Sequence, residues 1–168
     1  MITLYLDMDG VLADFNKAYS KFNPTQQDRT RFRESVMIYH IFEDLDKMPD
    51  ADVLLSGVAK IPNIRIEILT SMGTFNVEQG IEAKRQKLLW LDKHNITYKP
   101  NFVRTKTEKA KYANETSILI DDSIGCINPF NSKGGHGILH TSARDSLDQL
   151  SRTINIISGV HALRRVAV

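Results

Sequence analysis

Four short runs of apolar, mostly β-branched or aliphatic residues punctuate the chain, each bounded by turn-forming or polar residues. Residues 2–6 (ITLYL) stop at Asp7 and Gly10, 64–69 (IRIEIL) at Thr70-Ser71, and 117–120 (SILI) at Asp121-Asp122, while 136–140 (HGILH) are entered from Gly134-Gly135. Runs of this length between breakers predict strands; residues 101–104 (NFVR) are a weaker fifth. Residues 76–95 predict a long helix. Val77, Ile81, Leu88 and Leu91 fall near helical spacing, Lys84, Arg85 and Lys87 lie outside that stripe, and Asn76 and Asn95 stand where caps belong. Shorter helices are expected over 107–114 and 141–150, and Ile154, Ile156 and Ile157 predict that the C-terminal stretch packs on the core.

Short buried strands separated by helical stretches favour an α/β architecture: a parallel sheet with helices on both faces. Residues 15–58 break the rhythm. They lie between the first two strands and far exceed an ordinary βα connection. With Tyr39, Ile41, Phe42 and Leu45 as apolar positions, the segment reads as a small helical cap over the carboxyl edge of the sheet. The division expected is a core of 1–14 and 59–168 with a cap of 15–58. The pairs Asp7/Asp9, Thr70/Ser71 and Asp121/Asp122 each follow the C-terminal end of a strand. Ligands of open α/β sheets bind outside those ends, so these residues should converge on one crevice.

Composition narrows the function without naming it. A chain of 168 residues, 42% hydrophobic and 25% charged, fits one compact domain with a small insertion. A net charge of +2 gives no field favouring nucleic acid or an anionic membrane, and no apolar run approaches the roughly 20 residues that span a bilayer. Cys126 is the one cysteine, which excludes an internal disulfide and a thiolate metal cage and suits a reducing, cytoplasmic setting. No P-loop occurs, and Gly134-Gly135-His136-Gly137 precedes a strand, so it is no dinucleotide fingerprint. His136 and His140 are four apart, but on a strand that spacing makes no chelating pair. Arg29, Arg31 and Arg33 are either a solvated helix face or an attractor for an anionic substrate.

The acidic clusters suit phosphate-ester hydrolysis. Asp7 can attack phosphorus to form an aspartyl-phosphate, and Asp9, two residues on, can protonate the leaving oxygen and then activate water. Gly10 permits the turn that brings Asp9 over the reacting centre. Substrate and nucleophile are both anions; a magnesium ion between them offsets that repulsion, and Asp7 and Asp121 can supply its hard oxygen ligands. The Thr70-Ser71 pair is a helix cap or turn on one reading and a phosphate-oxygen site on the other. Asp121-Asp122 could be a turn, but adjacent acids after an apolar strand call for a nearby cation. A lysine must balance the charge; among Lys106, Lys109 and Lys111, Lys111 is the first choice and Lys109 the second.

In this order, Asp7-Met8-Asp9-Gly10, Thr70 at the end of 66–69, a lysine upstream, and Asp121-Asp122 resemble the four motifs of the haloacid dehalogenase superfamily of phosphohydrolases. Residues 7–15 (DMDGVLADF), 119–122 (LIDD) and 134–140 (GGHGILH) are similar to its 5'(3')-deoxyribonucleotidase branch. That resemblance implies a Rossmann-like core, a helical cap, bound Mg2+ and hydrolysis of nucleoside monophosphates. It implies Asp7 as nucleophile, Asp9 as acid/base, and a metal site of Asp7, the Asp9 carbonyl and Asp121, with Asp122 beside them. Thr70, Ser71 and Lys111 or Lys109 match phosphate-binding positions, and Phe15 matches an aromatic packing on the base. Two alternatives stay open: a 3'-phosphatase acting on nucleic-acid ends, and a non-catalytic nucleotide-binding module.

Overall fold

The computed structural model describes residues 1–22 and 27–166. Five strands, β1 (Ile2–Leu6), β2 (Ile64–Ser71), β3 (Lys99–Val103), β4 (Ser117–Asp121) and β5 (His136–Leu139), form one parallel sheet in the order β3-β2-β1-β4-β5. Alternation along each strand sends side chains to opposite faces. Leu4, Leu6, Ile68, Ile118, Ile120 and Ile138 enter one hydrophobic core, whereas Tyr5, Leu69, Val103 and Leu119 enter a second on the other face. Burial on both faces is what near-continuous apolar runs in a parallel sheet require.

The helices are α1 (Phe15–Tyr19), α2 (Asp28–Met37), α3 (Ala51–Ala59), α4 (Val77–Lys93), α5 (Ile124–Ser132) and α6 (Ala143–Val166), with a 3₁₀ helix over Lys106–Tyr112. The larger core takes Leu54 and Val58 of α3, Ala83, Trp90 and Leu91 of α4, and Leu150 and Ile157 of α6. The smaller takes Cys126, Ile127 and Phe130 of α5, with Tyr112 of the 3₁₀ helix packed against it. Within the segment 15–58, α3 packs on α6 beside the sheet and α2 packs on α4. Gly57 permits the first contact, since a Cβ there would lie 2.5 Å from Leu147 Cδ1. Among the described residues no helix is long and apolar enough to cross a membrane.

Two expectations from periodicity are corrected. On α4 the stripe of Val77, Ile81 and Leu88 is exposed, at 76%, 66% and 39%, and only Leu91 of that set is buried. The covered face carries Gly80, Ala83, Gln86, Lys87, Trp90 and Leu91. Gln86 is paid for by partners: its Nε2 donates to the Val36 carbonyl and its Oε1 accepts from Phe42 N–H. Polar residues with waiting partners, rather than an apolar stripe, define that face. The last helix runs well past residue 150, and Ile157 is buried on the core while Ile156 points outward at 62% exposure. The caps of α4 agree with expectation: Asn76 Oδ1 accepts from Gln79 N–H, and Asn95, just past the end, adopts φ 54°.

Candidate active site

The chain runs out from β1 to β2 and β3 on one side, then returns to place β4 on the other side of β1. Asp7 follows β1 and Asp121 ends β4, on neighbouring strands whose register pairs Leu6 with Ile120. The Asp7 N–H donates to the Ile120 carbonyl at 3.0 Å, which brings the two carboxylates level at the carboxyl edge. After Asp7 the chain turns sharply, with the Leu12 and Ala13 N–H groups donating to the Met8 carbonyl. Gly10 takes φ +81° within that turn, and a Cβ on it would lie 2.1 Å from Asp122 Oδ2. Glycine is therefore required both for the backbone angle and to seat the Asp122 carboxylate.

Lys109 joins the two strand ends. Its side chain is buried, and its Nζ lies 2.7 Å from Asp7 Oδ1 and 2.6 Å from Asp121 Oδ2. Burial disfavours its charge, but Asp7 and Asp121 outweigh that and hold the ammonium above its ordinary pKa. Asp7 Oδ1 also accepts from the Met8 N–H, and Asp121 Oδ1 from the Ser123 N–H. Burial, reinforced by the charge of Asp7, pushes Asp121 up to about 6 against the opposing pull of Lys109.

Lys111, the first choice from the sequence, lies elsewhere. Its side chain is 66% exposed, and its ammonium pairs with Glu108 on the same 3₁₀ helix. Two residues of separation on a tight helix turn one lysine to the sheet and the other to water, a distinction that sequence separation from Asp121 does not carry.

A second buried ammonium was missed altogether. Lys87 of α4 is fully buried, and its Nζ donates to Asp9 Oδ2 at 2.5 Å and to Thr70 Oγ1 at 2.9 Å. Asp9 Oδ1 is buried without a hydrogen-bond partner. Burial pushes the Asp9 carboxyl above the usual range, with Lys87 opposing. The signal lay in the spacing of Lys87 to Ala83, Trp90 and Leu91 on one helical face, but lysine is so rarely buried that the pattern reads as solvated.

A cavity of about 420 Å³ opens on this edge, lined by Asp7, Asp9, Lys109 and Asp122 on one side and by Phe15, Phe32 and Phe42 on another. Phe15 stacks between Tyr19 and Phe42, at centroid distances of 5.0 and 5.4 Å. Ser71 also lines the cavity; its hydroxyl donates to the Arg104 carbonyl at 3.2 Å and accepts from the Gly73 N–H. Thr70 is buried beneath, and Lys106 stands exposed at the rim.

Oxygens of Asp7, Asp121 and Asp122 lie within 4.8 Å of one another. With all four site carboxylates ionised, two buried ammonium groups leave an excess of two negative charges. A hard, all-oxygen donor set with that excess fits a divalent cation such as Mg2+. His40, Glu43 and Glu82 also come together, but the Arg85 guanidinium already donates to both carboxylates and ties the end of the α2 region to α4.

No protein-family profile and no curated protein sequence matches the chain. Solved structures do. A D,D-heptose 1,7-bisphosphate phosphatase from Burkholderia thailandensis superposes with a TM-score of 0.55 at 11% identity, covering 90% of this chain and 99% of that one. A haloacid dehalogenase-like family hydrolase from Streptococcus pneumoniae superposes with a TM-score of 0.51 at 14% identity, covering 88% and 90%. The chain has the haloacid dehalogenase-like fold over most of its length.

Proposed function

We propose that this protein is a magnesium-dependent phosphatase that hydrolyses phosphate monoesters through an aspartyl-phosphate on Asp7. The observation that carries the proposal is the convergence of Asp7 and Asp121, from two neighbouring strand ends, on the buried ammonium of Lys109, with Asp9 in the turn after Asp7 lining the same cavity. Asp7 Oδ1 is occupied by Lys109 and the Met8 N–H, so Oδ2 is the oxygen left to attack phosphorus. As the Asp7–phosphorus bond forms, the bond to the leaving oxygen breaks and Asp9 gives that oxygen a proton. Asp9 then takes a proton from water, the resulting hydroxide attacks phosphorus, and Asp7 and inorganic phosphate are released.

Lys109 and Ser71, which line the cavity, are the groups we assign to the phosphate oxygens and to charge balance, with Thr70 buried behind them. Asp7, Asp121, Asp122 and the Asp9 carbonyl are those we assign to the metal. When bound, the ion offsets the repulsion between carboxylate and phosphate and orients both. In this reading residues 15–58 act as the cap and 1–14 with 59–168 as the core. The aromatic wall of Phe15, Phe32 and Phe42 favours a leaving group with a planar ring, and a nucleoside monophosphate meets that requirement. The fold shared with a sugar bisphosphate phosphatase and a haloacid dehalogenase-like hydrolase is consistent with the chemistry.

The test is phosphate release with Mg2+ from a panel of nucleoside monophosphates, sugar phosphates and 3'-phosphorylated oligonucleotides. Asp7→Asn should abolish release from all of them, and the wild type should trap beryllium fluoride. Retained turnover in Asp7→Asn would rule out the aspartyl-phosphate route, and a preference for the oligonucleotide would replace the nucleotidase assignment.

A further inference from the structure

The site holds two buried lysines, and they divide the carboxylates between them. Lys109 serves Asp7 and Asp121; Lys87 touches neither and serves Asp9 and Thr70. Resting on the phosphatase reading above, we propose that Lys87 is a positioning residue: anchored on Thr70, it holds the Asp9 carboxyl in the orientation from which Asp9 delivers the leaving group's proton.

The argument is one of donors and acceptors. An ammonium group has three donors and no acceptor. Lys87 Nζ spends two on Asp9 Oδ2 and Thr70 Oγ1, while the Phe42 ring, with its centroid 4.4 Å away, covers it. Asp9 Oδ2 is thereby held in an ion pair. Asp9 Oδ1 is buried with no hydrogen-bond partner, so the contact with Lys87 is what orients the carboxyl. Asp9 lines the cavity, so the carboxyl that Lys87 fixes stands beside the reacting atoms. Thr70 is fixed in the same way. Its oxygen accepts from the same ammonium, so Thr70, buried beneath the cavity, ties Lys87 to the end of β2. A lysine needed only to fasten α4 to the sheet has no reason to be polar at all, because a buried ion pair rarely outperforms apolar packing. The contact with Phe42 also connects the segment above the sheet to the acid/base: displacing that ring uncovers the ammonium that holds Asp9.

Two esters separate this role from a structural one. p-Nitrophenolate is a stable anion and leaves without a proton, whereas the alkoxide of thymidine 5'-monophosphate needs one. Lys87→Met should lower kcat/KM, which reports the phosphorylation step in which the leaving group departs, on the order of 10²-fold for the alkyl ester, the scale of general acid catalysis, and by less than about tenfold for p-nitrophenyl phosphate. Asp9→Asn should show the same bias. The double variant should be no slower on the alkyl ester than Asp9→Asn alone, because residues acting as a unit are not additive. Lys87→Arg, which keeps the charge, should recover part of the loss. Equal losses of kcat/KM on both esters, or losses that multiply in the double variant, would overturn the assignment. If Lys87→Met does not fold, Lys87→Gln is judged by the same two criteria. Wild-type protein with Mg2+ that hydrolyses neither ester would overturn the phosphatase reading and this inference with it. Wild-type turnover with an unbiased Lys87 variant overturns the inference alone.

Discussion

His140 sits just past β5, buried, with its Nδ1 2.8 Å from Ser146 Oγ on α6. Burial lowers its pKa below 6.5, with Asp50 and Asp145 opposing. A histidine held neutral by the fold takes up protons more readily when unfolded, so its stabilising contribution is present above the unfolded pKa and is lost as pH falls below it. The expected outcome is a melting temperature that declines from about pH 6.5 downward. His140→Asn should flatten that part of the profile even if it lowers stability at pH 7.5. An unchanged acid slope in the variant would assign the decline to other groups. The same scale separates Lys109 from Lys111. Both stand upstream of Asp121 on one 3₁₀ helix, yet one ammonium meets two carboxylates in the core and the other meets Glu108 in water.

At the scale of elements, α4 matters most because it carries both a structural anchor and a site lysine. Trp90 is fully buried and its Nε1 donates to the Leu45 carbonyl at 2.7 Å, tying the helix to the connection between α2 and α3. Trp90→Ala should cost about 3–5 kcal/mol in denaturant unfolding, by lost transfer and the cavity left behind. Ile81→Lys, on the exposed side, should stay within about 0.5 kcal/mol, as surface substitutions do. Had the apolar stripe been the buried face, the two results would be reversed. The strands were legible because short apolar runs between breakers leave few alternatives. The face of α4 was not, because Gln86 and Lys87 are buried only by virtue of Val36, Phe42, Asp9 and Thr70, none of them near in sequence. The length of α6 also escaped: Ile154, Ile156 and Ile157 announce packing, but not which of them faces the core.

Across the whole molecule, the order β3-β2-β1-β4-β5 sets Asp7 and Asp121 side by side and leaves an excess of negative charge at one edge of the sheet. A divalent cation that binds only the folded state should stabilise it by about 2.7 kcal/mol at a hundredfold excess over its Kd. For a chain of this size that is a rise of about 5–10 °C in melting temperature, reversed by chelator. Asp121→Asn should abolish the rise; a shift that survives the substitution would place the ion elsewhere. By itself the sequence determined the strands, the fold class they build and the acidic residues at their ends, because short continuous apolar runs and breaker residues act locally and need no knowledge of distant partners. Only the tertiary structure decided which lysines serve those acids. A buried ammonium is stable only where carboxylates from other elements surround it, and that enclosure exists only once β1, β2, β4 and α4 have come together.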